Sequence, residues 1–359
     1  MSKMTPRERF LTALRGGKPD RVPLFDLLFN RELFEIAIGY RPESYNARDV
    51  AQCGVEIGLG GVWVTIGGFW GYHHKEIAEN IYQDEWGTTY QVDPSSWPIS
   101  APVDYPIKSR EDLKGYVPPD PSLSWRLDDI KAALERYGRD IAIMGCVRGP
   151  LTVAWYTMGF ERLSFCLFDD PDLLTSVFRM RNDYFMEAGK RMVEAGVAGI
   201  IVSDDYGFKT GPFFSPAHFK RFVLPFLTEL VQTFVGLGVP VLLHSDGDIN
   251  ALLDDLIATG ISGLHPLERG AGMDLAEVKE KYGEKICLFG NVSSTTTLPF
   301  GSEEDVEREV RECLEIAAPG GGYVLGSDHS LHEGIPVNNI LKMIETAKRL
   351  GRYQGGEET

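Results

Sequence analysis

At 359 residues, 43% hydrophobic and 25% charged, the chain has room for one large barrel or two ordinary domains and the composition of a soluble globular protein. A formal charge of −16 argues against nucleic acid and anionic membranes as partners, and no apolar run approaches the roughly 20 residues of a membrane span. Cys53, Cys146, Cys166, Cys287 and Cys313 are scattered with no Cys-x-x-Cys pair, and the charged N-terminus lacks the apolar stretch of a secretory signal, so the expected compartment is the cytoplasm.

Short apolar strands alternate with longer amphipathic segments along the chain. After an N-terminal helical extension, eight strands are predicted at Val22–Leu28, Gly61–Ile66, Ile141–Val147, Gly199–Asp205, Pro240–Ser245, Ser262–Leu267, Ile286–Val292 and Gly322–Ser327. Most are continuous apolar runs, as strands buried on both faces require. Residues 68–125 break this rhythm with Trp70, Trp86, Trp97 and Trp125, and Ile81–Val92 alternates about Trp86-Gly87 like a β-hairpin. This stretch is expected as an insertion over the barrel mouth, a reading compatible with a structural flap packed on its own aromatics.

Further along, Pro171–Ala195 predicts a long helix stopped by Gly196. Ser215-Pro216 opens a helix to about Val235, and Ser302 with Asp305 forms a capping box before Val306–Ala317. Asn338 or Asn339 is expected to cap the last helix, which ends near Leu350, and the tail Gly355–Thr359 is expected to fray. The fold class implied is α/β, a (β/α)₈ TIM barrel spanning residues 1–359 as a single domain, although an open doubly wound sheet would produce a similar string.

In a barrel, polar residues just past an apolar strand face the active-site mouth. Those positions hold Asp204 and Asp205, His244 and Asp246, His265 and Glu268, Asn291, and Asp328 and His329. His244-x-Asp246 is the sharpest pair, because residues two apart on a strand share a face. An imidazole and a carboxylate there can hold a metal edge, with His329 from the last strand as third ligand. That donor set suits zinc with an open position, and iron or manganese would also fit. The structural alternative is that Asp246 caps the helix near Asp248 while a neighbouring carboxylate satisfies His244. Of Asp204 and Asp205, at most one reaches the centre, as base, ligand or orienting partner. The run Pro319–Tyr323 precedes a strand and reads as a loop at the barrel bottom. P-loop, dinucleotide, zinc-protease and nucleophile-elbow motifs are absent, as is the corrinoid-carrier pattern Asp-x-His-x-x-Gly.

At these residues the chain resembles the uroporphyrinogen decarboxylase superfamily, which includes corrinoid-dependent methyltransferases. The likeness runs through Met4–Phe10 with Arg21-Val-Pro23, Gly149–Thr152, Ser203–Asp205 with Ser215-Pro216, His244–Gly247, Lys279–Gly283 and Gly320–Tyr323 leading to His329. The decarboxylases carry an arginine-bearing Met-Arg-Gln-Ala-Gly-Arg run where this chain reads Asp26-Leu-Leu-Phe-Asn30 with only Arg31 nearby, and the aspartate expected after the second strand is missing. A porphyrinogen with many carboxylates would lack charge partners there. The thiol-methylating members hold zinc through His-x-Cys and a later Cys, and the matching positions here are His244, Asp246 and His329. The resemblance therefore implies zinc as a Lewis acid, a small methyl donor such as a methoxylated aromatic, and a cobalamin or other corrinoid on a separate carrier protein. Asp205 and Glu268 would orient the centre, Asn291 would hydrogen-bond substrate, and Trp86, Tyr206, His265 and Asp328 would contact it. A metal-independent decarboxylase or lyase and a non-catalytic corrinoid- or tetrapyrrole-binding barrel stay open as alternatives, as does a homodimer.

Overall fold

Seven parallel strands hydrogen-bond in chain order, Gly61–Thr65, Ala142–Arg148, Gly199–Ser203, Val241–His244, Gly263–His265, Cys287–Phe289 and Tyr323–Val324. They belong to a computed structural model that describes residues 4–66, 75–93 and 97–353. The eighth stave is the segment 22–28, which joins the two edges: Phe25 bridges to Gly61 and Leu24 to Leu325, both parallel. Gly60 N donates to Leu24 O at 2.8 Å on one side, and Leu325 N donates to Pro23 O at 3.0 Å on the other. The sheet is thus a closed barrel and not an open doubly wound sheet. Closure follows from the strand sequences, since runs such as Val241-Leu-Leu are buried on both faces and need helices outside and packed side chains within.

The barrel interior is filled by a column of rings. Phe10 sits at the bottom, with ring centroids 5.7 Å from Phe25 and 5.8 Å from Phe289. His265 lies edge-on above them, 5.5 Å from Phe25 and 6.3 Å from Phe289, and His244 follows at 5.0 Å. Phe10 comes from the N-terminal helix Pro6–Leu14, which starts at a Thr5–Glu8 capping box. That helix closes the N-terminal end of the barrel, where a Cβ on Gly61 would lie 2.7 Å from the Phe10 ring.

Most helix signals match the observed ends. Pro171–Ala195 stops at Gly196, which takes φ +104°, and Ser302 and Asp305 complete their reciprocal cap. Ser215 caps the next helix, which passes through a π-helical turn at Phe219–Val223 before ending at Gly236. The last helix, Val337–Leu350, departs from expectation. Its N-cap is Pro336 with no side-chain cap, because the Asn339 amide is directed to the carbonyls of Leu298 and Gly301 instead. The tail Gly355–Thr359 and Trp70 lie outside the described residues.

The hairpin expected at Ile81–Val92 is present, with Tyr82 opposite Tyr90. It is the centre of a four-stranded antiparallel sheet that also holds Lys75–Ala78 and Ala101–Asp104. This sheet docks on the segments that leave the strand Ala142–Arg148: Thr88 Oγ1 donates to Tyr156 O at 2.6 Å, and Trp86 meets Tyr184 with centroids 4.6 Å apart. A buried pair, Arg126 with Glu85 at 2.5 and 2.8 Å, fastens it to the segment before the next helix.

Candidate active site

The register of the central strands sets the site. His244 pairs with Ser203 on one side and with His265 on the other, so both imidazoles stand at one level of the barrel. Their Nδ1 atoms are 2.7 Å apart. Trp63, from the strand Gly61–Thr65, lies edge-on to His244 at 5.0 Å.

Just past Ser203 the chain delivers two carboxylates with different tasks. Asp204 is fully buried and accepts from the amides of Leu151 at 3.1 Å and Thr152 at 2.5 Å, at the start of the helix Pro150–Met158. Asp205 turns to the mouth, where its Oδ1 accepts from Asp246 N at 3.2 Å. His244 Nε2 stands 3.6 Å from Asp246 Oδ1 and 3.9 Å from Asp205 Oδ1. One ligand atom from each of Asp205, His244 and Asp246 falls within 4.8 Å of the others.

The trio has Asp205 where the strand-end reading has His329 as third ligand. His329 stands beside it, with its Nε2 paired with Asp246 Oδ2 at 3.0 Å and its Nδ1 with Ser330 Oγ at 2.7 Å. Asp205 occupies the third corner, since the loop after Ser203 bends back far enough for the Asp246 amide to bind it. Asp246 does not cap a helix; the amide of Asn250 is taken by Asp248.

Two neighbours fix the loop carrying Asp246. Gly247 has φ +81° and lies so close to Gly207 that a Cβ would fall 2.2 Å from the Gly207 carbonyl oxygen, which restricts the position to glycine. Its amide donates to Glu268 Oε2 at 2.8 Å. Glu268 therefore acts through the loop, as an orienting residue.

The charges respond to burial and to one another. Burial lowers the His244 pKa to about 4, with His329 and Arg148 adding to the effect, so its imidazole is neutral. His265 is held well below its usual value, first by burial and then by His244. Burial and the charge of Asp246 raise Asp205 to about 7. Asp246 itself is depressed, because the histidines around it outweigh its burial. Burial alone would lower His329, but the charge and hydrogen bond of Asp246 hold it at about 9.

Several side chains expected to meet substrate have other partners. His265 lies beside His244 at 1% exposure, packed against Phe25 and Phe289. Tyr206 is in the core against Phe219, at 5.0 Å. Asp328 is buried and its Oδ1 binds both the amide and the hydroxyl of Ser294 at 2.7 Å. Asn291 is engaged at both ends: its amide donates to Leu267 O at 3.0 Å, and its carbonyl receives Arg269 and the Cys313 thiol. The polar ends of Asp328 and Asn291 tie the barrel rim, whereas the Tyr206 hydroxyl is buried with no hydrogen-bond partner among the described residues. Trp86 does line an open cleft, together with two arginines, Arg148 and Arg181, that the strand-end reading passed over. Arg148 is the last residue of its strand, and Arg181 falls on the buried stripe Leu174, Val177, Phe178, Arg181 of its helix. An arginine inside an apolar helical period is the signal that was available.

The donor geometry fits a metal ion. Donors about 2.1 Å from a tetrahedral zinc lie about 3.4 Å apart, close to the two separations at His244 Nε2. Asp246 Oδ1 is buried and has no hydrogen-bond partner among the described residues, as an atom reserved for a further ligand would be.

Comparison with known proteins places this geometry in context. The family model described as uroporphyrinogen decarboxylase (URO-D) matches residues 86–350. The methylcobamide:CoM methyltransferase MtbA of Methanosarcina acetivorans is 24% identical, over 97% of this chain and 99% of its own. A uroporphyrinogen decarboxylase from Alkalilimnicola ehrlichii is 26% identical over 71% of each chain. Among solved structures, a methyltransferase from Methanosarcina mazei superposes with a TM-score of 0.76, at 24% identity, over 96% of this chain and 99% of its own, a likeness of fold.

Proposed function

This chain belongs to the uroporphyrinogen decarboxylase family, and from that premise we propose that it moves a methyl group from a small methoxylated aromatic to the cobalt of a corrinoid on a separate carrier protein. The observation carrying this reading is the Asp205–His244–Asp246 cluster at the barrel mouth, with a buried Asp246 oxygen lacking a partner. The similarity to a methylcobamide:CoM methyltransferase across nearly the whole chain supports the methyl-transfer branch. Where the decarboxylases present arginines, residues 26–30 offer a buried Asp26, three apolar side chains and an Asn30 engaged with Ile335 and Leu33, none of them a cation for a polycarboxylate.

Asp205, His244 and Asp246 would hold zinc, which supplies a Lewis acid to draw charge from the ether oxygen as it becomes the leaving group. Carboxylates in place of thiolates make the centre harder, which favours oxygen over sulfur. The chain's own contributions surround that centre. His265 fixes the His244 ring through the Nδ1–Nδ1 bond. Glu268 holds the Asp246 loop through Gly247. His329, beside Asp246, is placed to hand a proton from Nε2 to the departing oxygen. The ring column beneath His244 excludes water from below.

Metal content after purification without added zinc or chelator, combined with a screen of methoxylated phenols and benzoates against reduced cobalamin, tests the reading. Near-stoichiometric zinc, lost in His244→Ala together with methylcobalamin formation, is the expected result. Full methylcobalamin formation in a metal-free preparation would sink the zinc reading, and a metal-free protein that instead releases carbon dioxide from a small acid would indicate a decarboxylase or lyase using Asp205 and His329 as acid and base. Metal binding with no turnover on any donor would leave a binding barrel.

A further inference from the structure

We propose that the cleft under the insertion sheet is a carboxylate pocket, in which Arg181 and Arg148 hold the acid group of an aromatic methyl donor while its methoxy group reaches the His244 cluster. This assignment rests on the methyl-transfer reading and names the donor class.

The cleft is open to solvent and walled by Trp86, Tyr156, Tyr184 and Phe185, with Arg148 and Arg181 among its lining residues. Arg181 is 4% exposed, in the middle of the helix Pro171–Ala195. Its guanidinium carbon lies 3.5 Å from the centroid of the Trp86 ring, so the face of the cation is occupied by the indole. The edges are not. Arg181 Nε and Nη1 are buried and have no hydrogen-bond partner among the described residues. A buried, fixed charge with unmet donors is costly unless an anion completes it.

Neighbouring acids do not complete it. Asp84 is close enough to offset part of the charge. Its oxygens, however, are taken by the amides of Trp86 and Thr88, both at 2.9 Å, and by the Tyr90 hydroxyl at 3.1 Å. Glu85 is paired with Arg126. The second cation, Arg148, ends its strand beside the Tyr156 ring, 5.7 Å from the centroid. Two guanidiniums in an aromatic-walled slot match an aromatic acid better than a neutral ring, because charge-assisted bonds to a carboxylate are the strong ones.

Position links the cleft to the chemistry. The strand ending in Arg148 is separated from the strand carrying His244 by one strand, Gly199–Ser203. Two inter-strand steps amount to roughly 10 Å. A benzene ring carrying a carboxylate at one end and a methoxy group at the other bridges most of that span, leaving the ether oxygen beside the cluster.

The test is calorimetric titration of the full chain with para-methoxybenzoate and with its neutral methyl ester, in the native protein, in Arg181→Met and in Arg181→Lys. The acid is expected to bind at least about 10-fold more tightly than the ester, with that margin lost in Arg181→Met and partly kept in Arg181→Lys. Equal binding of acid and ester, or an Arg181→Met protein that holds the acid unchanged, overturns the proposal. Should Arg181→Met fail to fold, Trp86 reports in its place. Acid but not ester must change the tryptophan emission of the native chain, and the change must vanish in Trp86→Phe; an acid that leaves emission unaltered overturns the proposal. Neither readout uses the carrier, so the two readings fail separately. Acid binding without methyl transfer to cobalamin sinks the methyltransferase and leaves the pocket, whereas transfer from neutral donors with no acid binding does the reverse.

Discussion

His244 and His265 share a 2.7 Å hydrogen bond between their Nδ1 atoms, so one ring donates and the other accepts. A His244 that offers its Nε2 lone pair towards Asp205 and Asp246 carries its proton on Nδ1 and is the donor. His265 then accepts on Nδ1 and keeps its proton on Nε2, an atom with no hydrogen-bond partner among the described residues. The tautomers of both rings are thereby assigned together.

Replacing His265 by Phe tests that assignment. Phe25 and Phe289 already surround the site, so the substitution preserves packing while removing the acceptor for His244. We expect zinc affinity to fall by about 10- to 100-fold, measured by chelator competition, with little change in thermal midpoint. An unchanged affinity would mean that His265 does no more than fill the column.

Asp246→Cys returns a thiolate to the position where the family's thiol-methylating members carry one. The cobalt(II)-substituted variant should gain a thiolate-to-metal charge-transfer band in the near ultraviolet that the native protein lacks. Methyl transfer from an ether donor should drop on the order of 10-fold, because the softer centre polarises oxygen less. A variant that binds cobalt without the new band would place Asp246 outside the coordination sphere.

Asp26 governs a pH response of the fold. It is 2% exposed, and its carboxylate accepts from the Ser327 amide at 2.8 Å, the Ser327 hydroxyl at 2.7 Å and the Leu27 amide at 3.0 Å. Burial outweighs these bonds and raises its pKa from 3.8 to about 7. With the folded pKa above the unfolded one, the folded chain holds the extra proton. Stability therefore falls as pH rises between those two values and levels off above about 7, by roughly 4 kcal/mol at most. Asn in place of Asp26 can donate to the Ser327 hydroxyl and accept from its amide. Urea denaturation should show Asp26→Asn gaining stability on the alkaline side with a shallower slope, the remainder coming from Asp205 and Asp204, which burial raises to about 7 and about 6; a slope unchanged in the variant would assign it to other groups.

Asp204→Ala separates scaffold from site. It strips the acceptor from two buried amides at the start of the helix Pro150–Met158, at an expected cost of roughly 2–4 kcal/mol. Thr152 also receives the Asp205 amide at 3.1 Å, so the same change should loosen the trio and weaken zinc binding. Denaturation and zinc titration on one preparation distinguish this from His265→Phe, which should weaken zinc alone. An Asp204→Ala protein as stable as the native one would refute the capping role.

The barrel was legible because its strands are buried on both faces and so carry unbroken apolar runs, and because the helix ends hold local capping signals such as Ser302–Asp305. The division of labour between Asp204 and Asp205 was also readable, since neighbouring residues diverge at a strand end. The trio was only half readable. Alternation places His244 and Asp246, but it says nothing of a loop that has left the strand, and the path after Ser203 is what brings Asp205 in and leaves His329 as an ion-pair partner. Asn291 and Asp328 read as substrate contacts in sequence because polarity at a strand end is shared by residues that face a ligand and residues that tie the rim. Asn338 and Asn339 show the same ambiguity, for an asparagine near a helix start serves a distant carbonyl as readily as a cap.

Phe10 and its helix seal one end of the barrel, so among the described residues the candidate site is approached from the opposite mouth. On the methyl-transfer reading, donor, departing phenol and corrinoid all use that mouth. The aromatic donor has to enter first and lie deepest, and the bulky carrier then covers the opening while the methyl group crosses. The demethylated product leaves only after the carrier has withdrawn. On the proposed reading the order of arrivals and departures is dictated by the floor of the barrel, and a steady-state analysis should find compulsory-order kinetics with the phenol released last.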